Sequence, residues 1–114
     1  MEPDIRHRAS TLFAALSHPT RIKMVEFLGD QAKSVNEIAA HVGIQQSGAS
    51  QHLAILARAG VLVVEQRGVS RLYRVRGPRI GKIMGLIEEF CSIHDLYGEP
   101  DLDLIKMPDP TGVR

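Results

Sequence analysis

The sequence predicts a mainly α-helical domain that closes on a single β-hairpin, an α+β arrangement. Three observations predict it. Apolar residues recur at three- and four-residue spacing in several stretches before residue 60 and again from Pro78. Between Val61 and Val75 the period drops to two. With no Trp and only 4% aromatic residues, the core has to be built from aliphatic side chains, which suits packed helices. A chain of 114 residues has room for one domain. That domain is expected over residues 1–97, with an irregular tail over 98–114 that carries Pro100, Pro108, Pro110 and several Asp.

Each element has a local reason. Ile5, Ala9, Leu12, Phe13 and Leu16 describe a first helix with one apolar stripe, ending near Ser17. Pro19 suits the first turn of a second helix through Ile22, Met24, Val25 and Leu28, closed by Gly29. Ser34-Val35-Asn36-Glu37 has the form of a capping box and starts a short third helix over residues 35–41, with Ile38 and Ala39 inward. Val42-Gly43-Ile44 is a tight turn in which Gly43 takes a positive φ. A fourth helix follows over residues 45–59, with Ala49, Leu53, Leu56 and Ala57 on its apolar side and Gly60 at its end. Strands over 61–65 and 71–75 then form a hairpin around Gln66-Arg67-Gly68-Val69-Ser70. From Pro78 a last helix carries Ile80, Ile83, Met84, Ile87, Phe90, Cys91 and His94.

The net charge of +1 conceals a segregation. Residues 58–82 hold Arg58, Arg67, Arg71, Arg74, Arg76, Arg79 and Lys82 against Glu65 alone, whereas residues 83–114 hold seven acids and two bases. Such a basic block suits a polyanionic partner. No apolar run approaches the roughly 18 residues of a membrane helix, and the polar start gives no secretory leader, so a cytoplasmic location and no membrane contact are expected. The single cysteine, Cys91, excludes an internal disulfide.

The order helix, Gly-containing turn, polar helix, basic hairpin is that of a winged helix-turn-helix, whose second helix enters the major groove. Gln46, Ser47, Ser50, Gln51 and His52 cluster in the N-terminal half of the fourth helix and supply the short hydrogen-bonding groups that base edges require. Arg67 and Arg71 on the wing would reach phosphates or the adjacent minor groove. Apolar stripes on the first and last helices, left partly uncovered by a monomer, predict a homodimer.

Four segments carry a resemblance to a known family. They are Ala15-Leu16-Ser17-His18-Pro19-Thr20-Arg21, Val35-Asn36-Glu37-Ile38-Ala39, Ser47-Gly48-Ala49-Ser50-Gln51-His52-Leu53-Ala54-Ile55-Leu56, and Gly60-Val61-Leu62-Val63 leading to Leu72-Tyr73-Arg74-Val75. Over roughly residues 8–97 the chain resembles the ArsR/SmtB family of dimeric bacterial repressors. The resemblance implies a winged helix-turn-helix homodimer that binds double-stranded operator DNA and is released by a metal ion or a reactive sulfur or oxygen species. It assigns DNA reading to Ser47, Ser50, Gln51 and His52, with the wing at residues 67–71. Gln45 replaces a frequent capping Ser, Gly48 interrupts the reading helix at a cost of about 1 kcal/mol relative to Ala, and Ala54 replaces a frequent Lys.

The metal sites known in that family are not matched. Residues 35–40 contain no thiol, and Gly77, Arg79, Phe90 and Ile93 occupy the positions of the second site, so neither cofactor nor metal is expected. Glu88-Glu89-Phe90-Cys91-Ser92 is similar to the C-terminal cysteine segment of the persulfide-sensing branch, but Glu26 stands where the second thiol would be. Cys91 is thus either a small apolar side chain on the stripe of Ile80, Met84 and Ile87, or a redox group acting between two copies or through a small-thiol cap. His7 and His94 are the histidines that could join it across a dimer.

The leading function is a DNA-binding repressor, and the alternative is a protein-interaction module on the same scaffold. Such a module would carry apolar anchors where Gln46, Ser50, Gln51 and His52 stand. An enzyme is not expected, because the sequence has no Gly-rich phosphate loop and no paired nucleophile and base.

Overall fold

A computed structural model of the protein describes residues 1–92. Residues 1–81 form one compact unit built from four helices and a small sheet. Helix α1 (Pro3–Leu16) begins with a proline in its first turn, where a missing N–H costs nothing. Helix α2 (Pro19–Leu28) is capped by His18, whose Nδ1 accepts the Thr20 N–H at 3.1 Å. Strand β1 (Lys33–Ser34) leads into helix α3 (Val35–Val42) through the capping box: Ser34 Oγ accepts the Glu37 N–H at 3.2 Å, and Glu37 Oε1 accepts the Ser34 N–H at 2.9 Å. Gly43 takes φ 77°, the left-handed turn that only glycine adopts without strain, and both its N–H and that of Ile44 return to the Ala39 carbonyl. Helix α4 (Gln46–Arg58) follows.

Strands β2 (Leu62–Arg67) and β3 (Ser70–Val75) form the hairpin. The sheet is three-stranded and antiparallel in the order β1-β3-β2, with Lys33 opposite Tyr73 and Leu62 opposite Val75. Two features differ from the sequence reading. The two residues of β1 pair with β3, far along the chain, and no local pattern announces it. The wing's connection is also shorter than the stretch expected, because Gln66 pairs with Arg71 and Arg67 with Ser70, leaving only Gly68 and Val69 in the turn.

Met24, Leu28, Ile38, Leu53, Leu56, Val61 and Leu62 are almost fully buried and join Ala49 in an aliphatic core. Tyr73 covers its sheet side. At the edge of the core, Phe27 of α2 stacks on His41 of α3 with ring centroids 3.8 Å apart, and Lys33 Nζ lies 4.8 Å over the phenyl ring. The stripe expected on α1 is buried only at its C-terminal end, by Ala15 and Leu16, while Ile5 is exposed and Phe13 is 62% exposed.

Helix α5 (Pro78–Ser92) has no fully buried side chain, and Leu86 and Phe90 are exposed on it. His94 and the tail expected over 98–114 lie outside the described residues. Among the described residues no helix is long and apolar enough to cross a membrane.

Candidate nucleic-acid interface

The buried stripe of α4 decides which of its polar residues face outward. Ala49, Leu53 and Leu56 are wholly buried. On a helix of 3.6 residues per turn the opposite face carries positions 47, 51, 54 and 58, which here are Ser47, Gln51, Ala54 and Arg58. Ser47, Gln51 and Arg58 are exposed, and Ser50 lies half-buried on the flank. This face is free of apolar bulk, as a helix entering a DNA groove must be.

The beginning of α4 meets the wing. Ser34, Val35, Asn36, Gln46, Val69, Ser70 and Arg71 line a shallow groove of about 270 Å³ that brings Gln46 and Arg71 together. Arg71 is exposed, and among the described residues it has no acidic partner within 4 Å. Arg67 is also exposed, but its guanidinium lies 3.6 Å from Glu65 Oε1, and Arg74 approaches the same oxygen at 3.4 Å. Both distances are long for hydrogen bonds, so this buried oxygen has two cations near it and no hydrogen-bond donor. The two wing arginines picked out in the sequence therefore differ: Arg71 is unencumbered, while Arg67 shares an acid.

His52 sits differently from Ser47 and Gln51. It falls three residues after Ala49 and four before Leu56, at the edge of the buried stripe, and is half-buried. Its ring lies against His18, with centroids 4.6 Å apart, and its Nδ1 is 3.2 Å from Arg21 Nη1. Helical spacing relative to Ala49 and Leu56 was the signal that could have placed it there. Partial burial, with the neighbouring His18 and Arg21, holds its pKa below the usual histidine range.

Among the described residues, Cys91 is a free thiol exposed on α5. Among the described residues no three His, Cys, Asp or Glu side chains converge as metal ligands.

Known proteins are similar to this chain in sequence and fold. A helix-turn-helix domain family matches residues 16–65. The HTH-type transcriptional regulator Rv0081 of Mycobacterium tuberculosis is 35% identical over 81 residues, covering 70% of this chain and 71% of that protein. Its crystal structure superposes with a TM-score of 0.71 at 31% identity, over 81% of this chain and 92% of that one. The repressor SmtB of the same organism is 35% identical over 81 residues, 71% of this chain and 60% of its own length. The chain belongs to the ArsR/SmtB family of winged helix-turn-helix transcriptional regulators. The fold is also that of the homodimeric winged helix-turn-helix domain of Mb0332 from Mycobacterium bovis, with a TM-score of 0.75 at 21% identity over 80% of this chain and 84% of that one.

In this ArsR/SmtB-family regulator three further residues lie in or behind the candidate interface and were given no site role from the sequence. Asn36 lines the groove beside Gln46 and Arg71. Arg58 ends the outward face of α4, where its charge in the last turn also suits the helix dipole. Arg21 holds His52.

Proposed function

We propose that the protein acts as a homodimeric repressor in the cytoplasm, without catalysing a reaction, by laying α4 into the major groove of double-stranded operator DNA and its wing along the flanking backbone. The observation that carries this reading is the small, polar outward face of Ser47 and Gln51 on α4, beside a groove where Gln46, Asn36 and Arg71 meet. Gln51 pairs with base edges, Ser47 and Ser50 contact bases or phosphates, and Arg71 with Arg67 neutralises phosphates. His52 serves this surface from behind.

Each unit, taken by itself, offers exposed apolar side chains for dimer contacts, Ile5 and Phe13 on α1 and Leu86 and Phe90 on α5. A two-fold dimer presents two reading helices to half-sites about one helical turn apart, so the operator is an imperfect inverted repeat. Selection from a random duplex library tests this: an enriched inverted repeat is expected. Gln51→Ala should then lose about 1 to 3 kcal/mol of discrimination at one base position per half-site. Arg71→Ala should weaken binding to every duplex and lower the salt slope by about one unit for each phosphate it ceases to neutralise. Equal losses on operator and random DNA for both variants would remove α4 from the reading role.

A further inference from the structure

Arg21 stands where α1 ends and α2 begins, and its guanidinium touches both α1 and α4. Nε donates to the Ala15 carbonyl at 2.6 Å, Nη2 reaches the Ala14 carbonyl at 3.4 Å, and Nη1 lies 3.2 Å from Nδ1 of His52. Helix α1 has no basic residue in its own last turn, so Arg21 supplies the cation there and a donor to the Ala15 carbonyl, while the Ala14 carbonyl also accepts from the Ser17 hydroxyl and N–H.

A guanidinium has donors only. Nδ1 of His52 is therefore the acceptor, and the neutral ring carries its proton on Nε2. His18, tilted 55° against the His52 ring, is held in the same sense, because its Nδ1 accepts the Thr20 N–H. Ala49, Leu53 and Leu56 pack α4 into the unit as an apolar stripe, whose side chains make no directional bonds. A polar tie beside such a stripe is what fixes the rotation of a helix about its own axis.

We propose that Arg21 is the positioning residue of the reading helix: through unprotonated His52 it fastens α4 to the C-terminal end of α1, and protonation of His52 releases it. This rests on the assignment of α4 as the DNA-reading element. The groups that act on His52 are His18 and Arg21, both cationic when protonated, and together with partial burial they oppose its protonation. The neutral form is favoured by folding. The tie is thus intact above the ordinary histidine range and is lost as pH falls through the lowered pKa. Protonated His52 and Arg21 present donors to each other, and the contact turns repulsive. Because α1 also carries the exposed Ile5 and Phe13, the tie links a helix available for dimer contact to the helix that reads DNA.

The test compares a duplex enriched by the wild-type protein with a random duplex of equal length, at neutral pH and at a pH below the point where imidazole NMR of the same protein shows His52 protonated. The preference of the wild-type protein for the enriched duplex should fall about tenfold at the lower pH, the loss of one charge-assisted hydrogen bond. His52→Asn places an amide oxygen near the Nδ1 position and cannot titrate, so it should keep the preference at both pH values. His52→Phe and Arg21→Ala should show the reduced preference at both. Nitrogen-15 NMR of the imidazole should report Nδ1 of His52 unprotonated at neutral pH, with its titration moved upward in Arg21→Ala. If Arg21→Ala does not fold, His52→Phe carries the comparison. A pH-independent wild type, or a His52→Asn variant as defective as His52→Phe, overturns the proposal, the latter by showing that the imidazole itself touches DNA. Failure of the DNA reading looks different: no duplex is enriched by the wild-type protein at either pH.

Discussion

Glu65 shows how one side chain sets the charge a wing presents. Its buried Oε1 lies within 3.6 Å of Arg67 and Arg74, so part of the wing's positive potential is neutralised before any DNA arrives. The pairs are partly exposed, and such pairs contribute roughly 0 to 1 kcal/mol to stability. Their larger effect is on the field seen by phosphates. Glu65→Gln should strengthen binding to random DNA and steepen the salt slope by about one unit, with little change in stability. Filter binding or anisotropy across a salt series would measure it, and an unchanged slope would show that Arg67 makes no phosphate contact. Arg71, with no such acid beside it among the described residues, should respond to its own removal and not to that of Glu65.

Among the elements, helix α4, the proposed reading helix, begins without local support. Its N-cap, Gln45, makes no side-chain cap bond, and Gly48 sits in its first turns. A Cβ built at Gly48 meets only Ile44 Cδ1, at an ordinary 3.8 Å, so Gly48→Ala should stabilise the protein by about 0.5 to 1 kcal/mol in a denaturant titration. Gln45→Ser should add a cap bond of similar size. A helix that DNA must bend or shift would then bind less tightly as it stiffens, whereas one already set in its bound form would bind equally well. Helix α3 is the contrast, since both halves of its capping box are present. Hydrogen bonds from the Ser34 backbone and side chain hold the Glu37 carboxyl below the usual carboxylate range. Folding therefore favours the ionised form: this contribution is complete above the ordinary glutamate pKa and disappears as pH falls through the lowered one. Glu37→Gln should remove that acid-sensitive part of the stability profile, whereas Ser34→Ala, which keeps the backbone N–H, should only reduce it.

For the molecule taken whole, the exposed phenyl ring of Phe13 decides the argument about assembly. A ring that is 62% exposed contributes little to the fold of its own chain, yet it is a large apolar group on the outer side of α1. Phe13→Glu should leave the helical circular dichroism and thermal unfolding of the chain near wild type. It should convert a dimer in sedimentation to a monomer and cost operator binding well over tenfold, because two half-sites are no longer held together. A dimer that survives this substitution would place the two-fold contact away from α1.

Everything that depends on near neighbours in the chain is already written in the order of its residues. The helices over α1 to α4 follow from apolar spacing, the start of α3 from Ser34 and Glu37, the turn before α4 from Gly43, and the hairpin from the change of period after Gly60. The outward residues Ser47 and Gln51 were legible for the same reason, as they lie opposite a buried stripe on one helix. Packing between distant segments set the rest: the pairing of Lys33 with Tyr73, the meeting of Gln46 with Arg71 and Asn36, the approach of Arg74 to Glu65 across the hairpin, and the bond between Arg21 and His52, 31 residues apart. The physical reason is the range of the forces involved. Caps, turns and periodicity are satisfied within a few residues, whereas these contacts exist only where the packing of separate elements happens to bring a donor to an acceptor. A histidine one position from an outward glutamine is polar in the sequence and committed in the fold, because the edge of a buried stripe is defined by what packs against it.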